Sequence, residues 1–352
     1  MSKPLSFSRC CVLVSLGWLM FCGQGEPSEP ETPALPKVVL VLDTGMEDDR
    51  TFNAHGLKGA RAVAAEGGFE LIVSPSSSQV YYERNIEAFV SQKPALILTM
   101  GFRMGDPTAR VARRHPRQRF AVVDVAYLPG RGCAETVADC YTEEGGLANM
   151  TSLVFAEDQV GFLAGVLAGC MSKTGVVASV AGPEIQPVVD FATGFANGAR
   201  HVNPDVKTHQ VYLPGFNELE LGRAKAHEFI DKGADVVFGI GGNSGNGALL
   251  ACKERGVMGV GVDGDQYETF PEVREILLTS ASKKIDQAMV ILLRRLLAGN
   301  LAPGIIHADL ANQGVGLAPF HEWEERIPGA CKQRIQEAND LLIQNPKRAL
   351  AE

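Results

Sequence analysis

The chain has 352 residues, more than one compact core usually absorbs, with 45% hydrophobic residues, 21% charged residues and 38 glycines. That describes a globular α/β chain with two domains. Its formal charge of -8 argues against nucleic acid or an anionic lipid surface as the partner.

Lys3 and Arg9 precede an apolar run at 10–21, CCVLVSLGWLMF, too short to remain in a membrane as a spanning helix. Cys22 follows, then GEPSEPETPALP, a Pro/Glu stretch with no means of packing. Leu19-Met20-Phe21-Cys22 resembles the processing site of a bacterial lipoprotein, with Phe21 where a small residue is usual. Residues 1–21 are therefore set apart as a signal peptide and 22–36 as a tether, with Cys22 the candidate for lipidation. An ordinary secretory signal and an uncleaved anchor are the other readings. The expected location is a bacterial membrane, with the chain facing the periplasm or the cell exterior.

Residues 38–42, VVLVL, read as a buried parallel strand ending at Asp43. An acidic loop, 44–49, leads to a helix over 52–65 that opens on Phe52 and Asn53. Strands follow at 71–73, 95–100 and 120–125, the last with Asp124 near its end. Between them lie helices at 80–91 and 107–114, the second started by Asp106 and Pro107. This alternation implies a parallel sheet with helices on both faces.

A Gly/Ala-rich helix is predicted over 157–171, with Gly161, Gly165 and Gly169 suited to close packing on a sheet. Strands at 176–181, 206–213, 236–240 and 258–262 then alternate with helices at 188–202, 218–232 and 245–255. A strand at 275–282, a helix at 284–298, short strands at 305–306 and 315–317, and a helix at 330–343 end the chain. Two such α/β units imply a hinge and two lobes able to close on a ligand.

Export makes disulfides possible. Cys133 and Cys140 flank a short segment and could pair. Cys170 and Cys252 fall in helical patterns as small core residues, and Cys331 has no obvious partner. No Cys/His spacing matches a metal site and no histidine stands in a nucleophile motif, so no metal or other cofactor is expected.

In open α/β sheets ligands bind outside the carboxyl ends of strands. Asp43, Asp124 and Asp263 all stand at such ends, where a carboxylate can accept from a diol or an N–H. Each alone could equally be a cap or turn residue. Phe52 and Phe216 could sandwich a flat base, at roughly 1–3 kcal/mol per stacking contact, or simply pack locally. Gly241 and Gly242 open a helix after a strand, bringing backbone N–H groups near a ligand. Without GK[ST] the loop is a weak phosphate signal and suits a neutral polar ligand. Lys283 could donate to a ligand hydroxyl held by Asp263, or lie with Lys284 on a solvated face.

The motifs DTGMEDDRTFN, LPGFNELELG, GIGGNSGNG, VGVDGDQY and TSASKK together resemble the basic membrane protein family of lipoproteins, over roughly residues 37–320. The resemblance implies a two-lobed periplasmic-binding-protein fold of type I and the role of substrate-binding component of an ABC importer, with permease and ATPase subunits as partners. It implies that Phe52 and Phe216 sandwich a purine nucleoside and that Asp43, Asn53 and Asp124 serve its polar edges. Asp263 would bind the ribose, helped by Lys283 and the Gly241-Gly242 backbone. The lobes are expected to comprise 37–143 plus 264–302, and 144–263 plus 303–345.

Two rivals remain. A nucleoside hydrolase also begins with a strand and an acidic loop, there holding calcium. Here Val41, Thr44 and Glu47 replace parts of that motif, and a lost carboxylate weakens such a site. A receptor that reports to a sensor protein instead of a permease is the other.

Overall fold

The computed structural model describes residues 35–44 and 47–350. The signal peptide, most of the tether and Cys22 lie outside the described residues. The strands in chain order are β1 (Lys37–Leu42), β2 (Glu70–Ser74), β3 (Leu96–Met100), β4 (Phe120–Val123), the short β5 (Leu128–Pro129) and β6 (Gly132–Cys133), and β7 (Met150–Phe155). They continue as β8 (Val176–Ala181), β9 (Lys207–Tyr212), β10 (Val236–Ile240), β11 (Met258–Asp263), β12 (Leu277–Lys283), β13 (Gly304–Ala308) and β14 (Val315–Leu317). The helices are α1 (Phe52–Ala65), α2 (Tyr82–Val90), α3 (Gly105–Arg114), α4 (Glu157–Met171), α5 (Gln186–Val202), α6 (Leu219–Asp231), α7 (Gly242–Arg255), the single turn α8 (Gln266–Thr269), α9 (Ile285–Leu297) and α10 (Gly329–Gln344).

Two six-stranded sheets result, in the orders β13-β7-β4-β3-β1-β2 and β14-β12-β11-β10-β8-β9. All their pairings are parallel except β12 with β14. Each sheet with its helices forms one lobe. β1 shows why apolar runs without alternation suit such sheets. Leu40 and Leu42 pack with Leu57 and Val63 of α1 on one face. Val39 and Val41 pack with Ile86 and Val111 on the other.

The sheets divide the chain differently from the expected lobe boundaries. β7, expected in the second lobe, pairs with β4 in the first sheet. β12 belongs to the second sheet through β11, and β13 returns to the first through β7. The chain therefore crosses between lobes after β7, after β12 and after β13. The crossings run side by side: Ala156 N–H donates to the Ala308 carbonyl (2.9 Å) and Lys284 N–H to the Gly314 carbonyl (2.9 Å).

The small residues of α4 pack against a helix, not a sheet. A Cβ on Gly161 would lie 2.5 Å from the Phe191 carbonyl oxygen, and one on Gly169 2.7 Å from that of Ala199, both in α5. The glycines thus let α4 and α5 meet backbone to backbone, a contact no larger residue permits. Cys133 and Cys140 form a disulfide. Cys331, for which the sequence suggests no partner, meets the Cys170 thiol where α10 packs on α4. Among the described residues no helix is long and apolar enough to cross a membrane.

Candidate functional site

The carboxyl ends of strands from both sheets gather at one cleft between the lobes. All nine residues singled out from the sequence line it. Asp43 follows β1, Phe52 and Asn53 open α1, and Asp124 follows β4. Phe216 lies in the loop after β9, Gly241 and Gly242 lead into α7, and Asp263 and Lys283 end β11 and β12. Asp49, Gly101, Phe102, Ile185, Pro187 and Asn217 also line it. Their sequence signal is slight, since each stands in a loop or helix start that needs no binding role.

The first lobe fixes its side chains through the acidic turn. The Asp49 carboxylate accepts from the N–H groups of Thr51 (2.9 Å), Asn53 (3.0 Å) and Ala54 (3.1 Å). It thereby satisfies the orphan amides at the start of α1 and sets the direction of Phe52 and Asn53. Gly101, with φ +112°, makes room for Asp43: a Cβ there would lie 2.6 Å from Asp43 Oδ2. In the second lobe Ser244 N–H donates to the Phe216 carbonyl (3.0 Å), and its hydroxyl to that of Gly215 (2.7 Å). The glycine-rich turn is thus laced to the loop that presents Phe216.

Asp124 and Asp263 share an unusual backbone, with φ of 67° and 64°. Asp tolerates this left-handed region better than most residues. Such strain concentrates where a side chain must be aimed off the line of its strand.

Lys283 is tied into the protein on all sides. Its ammonium donates to both Asp124 oxygens (2.7 and 2.8 Å) and to Glu157 Oε1 (2.7 Å). A lysine has three protons, and all three are engaged within the protein. It is 2% exposed, with the rings of Phe52 and Phe155 at 5.1 and 4.7 Å. Burial opposes its charge, but the carboxylates of Asp124, Glu157 and Asp263 outweigh this and hold it protonated. Lys283 is thus a buried counter-ion among acids at the wall of the cleft.

Glu157, the first residue of α4, escapes sequence reasoning because its partner is 126 positions away and the strand before it is not apolar throughout. Burial pushes its carboxyl up to about 8 against the pull of Lys283. Burial also pushes Asp263 up to about 7, with Lys283 opposing and Asp124 and Asp49 reinforcing the rise. The cleft is therefore rich in acceptors and suits a ligand rich in donors. Among the described residues no group of His, Cys, Asp and Glu is placed to hold a metal ion. Asp49, which a calcium loop would need, is used to cap α1.

Two largely parallel sheets, crossed three times by the chain and flanking one cleft, define the periplasmic-binding-protein fold of type I. A chain from Aeropyrum pernix described as an ABC transporter system solute-binding protein shares this fold with a TM-score of 0.77 at 24% identity, over 88% of this chain and 92% of that one. A 5-methylthioribose transporter solute-binding protein from Thermotoga lettingae does so with a TM-score of 0.60 at 14% identity, over 90% and 95%. The chain belongs to the Bmp family, the PnrA-like ABC transporter substrate-binding proteins, whose family model matches residues 36–344. Basic membrane protein A of Borreliella burgdorferi is 29% identical over 94% of this chain and 91% of its own length. The ABC transporter nucleoside-binding protein BmpA of Lactococcus lactis subsp. cremoris is 26% identical over 80% and 81%. Membership in this family places the chain among ABC transporter substrate-binding proteins.

Proposed function

We propose that this chain is the lipid-anchored substrate-binding component of an ABC importer, with a nucleoside, purine foremost, as its ligand. The observation that carries this is the presence of two phenylalanine rings, Phe52 and Phe216, in one cleft with the acceptor Asp263. A nucleoside needs both: a flat base to stack and a diol to hold. In this reading the base lies between the rings, Asp43, Asn53 and Asp124 meet its polar edges, and Asp263 accepts from the ribose hydroxyls. Gly241 and Gly242 let the backbone approach, and Lys283 neutralises Asp124 from behind. The nucleoside-binding relative from Lactococcus supports the ligand class. Permease and ATPase subunits receive the loaded protein, and Cys22 carries the lipid outside the membrane.

The test is a thermal-shift series on residues 37–352 with purine and pyrimidine nucleosides, free bases, ribose and nucleotides, with and without EDTA. A ligand at 100 times its dissociation constant adds about 2.7 kcal/mol, a clear rise in melting temperature. Nucleosides are expected to stabilise the chain, indifferent to EDTA and with no free base released. No shift with any nucleoside would overturn the ligand class and leave the family standing.

Binding should also depend on pH, in a stated direction. Ligand hydroxyls donate to the charged form of Asp263, whose free pKa is near 7. Below that pH binding must expel a proton, so the dissociation constant is expected to rise by up to about tenfold per pH unit. Titration calorimetry between pH 5.5 and 8 in buffers of different ionisation heat measures both the slope and the proton released. A flat profile would remove the charged carboxylate from the binding step.

A further inference from the structure

Three residues of the quoted motifs line no part of the cleft: Arg50 of DDRTFN, Asn246 of GGNSGNG and Gln266 of VDGDQY. Arg50 and Asn246 stand on the seam where the lobes meet, and Gln266 lies behind it. The Arg50 carbonyl accepts from the Thr269 hydroxyl at 2.8 Å. Its guanidinium pairs with Glu272 at 3.0 Å and lies 4.9 Å over the Phe270 ring. One residue earlier, the Asp49 carbonyl accepts from Asn246 Nδ2 at 3.4 Å. Thus one turn of the first lobe, Asp49 and Arg50, is held by four side chains of the second.

Behind that seam runs a chain of buried amides. Asn246 is 2% exposed and Gln266 is fully buried. Gln266 Nε2 donates to Asn246 Oδ1 at 2.7 Å. Gln266 Oε1 accepts from Val262 N–H at 2.9 Å, and its own N–H donates to Ser280 Oγ at 3.0 Å. The amides therefore connect the end of β11, one residue before Asp263, to the turn whose Asp49 carboxylate orients Phe52 and Asn53. An amide suits this use because it donates at one atom and accepts at the other, and it does not titrate. A link removed inside such a chain leaves a buried group unpaired.

We infer that Asn246 and Gln266 are positioning residues that couple Asp263 in the second lobe to the Asp49-Arg50 turn of the first, and so set how long a ligand stays enclosed without touching it. The inference rests on the nucleoside reading for its kinetic test. Contacts made only between closed lobes add to the closed state alone. Their loss therefore appears in the rate of release, not of capture.

Two isosteric substitutions break different links. Asn246→Asp removes the protons offered to the Asp49 carbonyl and, within the second lobe, to Asn243 Oδ1 at 3.2 Å, and keeps the acceptor for Gln266. Gln266→Glu removes the donor to Asn246 and keeps the acceptor for Val262 N–H. Stopped-flow release of inosine is expected to be about tenfold faster or more in each, with association changed by less than about threefold. The links lie in series, so the double variant should release no faster than the worse single one. Hydrogen exchange at Thr51, Asn53 and Ala54, measured with no nucleoside added, should quicken in both. Unchanged release, additive losses, or an effect confined to association would overturn the coupling. If wild type binds no inosine, the nucleoside reading fails, and the exchange rates alone decide: quicker exchange supports the seam and unchanged exchange overturns it. Should a buried variant not fold, Arg50→Gln at the exposed end of the same seam serves, with release or exchange expected to be about threefold faster.

Discussion

Replacing Lys283 by Met is expected to produce the largest loss of stability of any single substitution in the cleft. Met keeps the stem of the side chain and removes only the ammonium. That leaves Asp124 and Glu157, both hydrogen bonded to it at 2.7 Å, with no cation in a buried site. Removing one partner of a buried pair costs about 3–5 kcal/mol, against a total stability of about 5–15 kcal/mol for an ordinary domain. A melting temperature lower by about 10 °C follows at pH 8. The loss should shrink in acid. Glu157 and Asp263 already have raised pKa values, about 8 and about 7, and losing the cation raises them further. A raised carboxyl is at its most favourable below its unfolded value, near 4, and loses that advantage as pH climbs through its folded value. The variant should therefore approach wild type near pH 5 and fall away from it between pH 6 and 8. Adding Glu157→Gln should recover part of the loss by removing one stranded charge. Melting curves across that range, followed by circular dichroism, measure this. A gap that is small, or that does not change with pH, would mean that Lys283 is not the counter-ion of the cluster.

The same lysine shows how far sequence alone reaches. Its place at a strand end is a local property, read from the run before it and the helix after it. So are the places of Asp43, Asp124 and Asp263, and parallel sheets bring such ends together without further instruction. That is why nine residues spread over some 240 positions could be gathered at one cleft from pattern and resemblance. What Lys283 bonds to is not local. Glu157 follows β7, and β7 carries Thr151 and Ser152 inside a buried strand, which breaks the apolar run that marks its neighbours. Those hydroxyls are satisfied across the fold, Thr151 by donating to the Ala302 carbonyl and Ser152 by accepting from Tyr141. The lobe boundary is hidden with it, because nothing in a strand's own residues says which sheet it joins. The same holds of β12 and β13, whose own residues do not show that the chain crosses between lobes around them. The spacing of the glycines of α4 marks a close contact, but the surface they meet, helix α5 and not a sheet, is set by the return of the chain.

Replacing Asp263 by Ala is expected to weaken nucleoside binding about a hundredfold or more, because two hydrogen bonds to a charged acceptor are lost at about 1.5–3 kcal/mol each. The fold should tolerate the change. Asp263 is buried, and burial already pushes its carboxyl up to about 7, so its removal relieves a desolvation penalty. Against this stands its φ of 64°, which Ala adopts at about 1–2 kcal/mol. Asp263→Asn avoids that strain and keeps a single acceptor, so it should fall between Ala and wild type. A second partner isolates the ribose. Wild type should reject a 2′,3′-dideoxynucleoside about as strongly as the Ala variant rejects the parent nucleoside. The Ala variant, having no acceptor left to disappoint, should bind the two alike. The pH slope below 7 should vanish in it as well. Calorimetry on the two proteins with the two ligands closes the cycle. A full dideoxy penalty surviving in Asp263→Ala would place the ribose elsewhere in the cleft. Asp263 would then be a strand-end residue held by Gln266 through the neighbouring backbone, with no hydroxyl to receive.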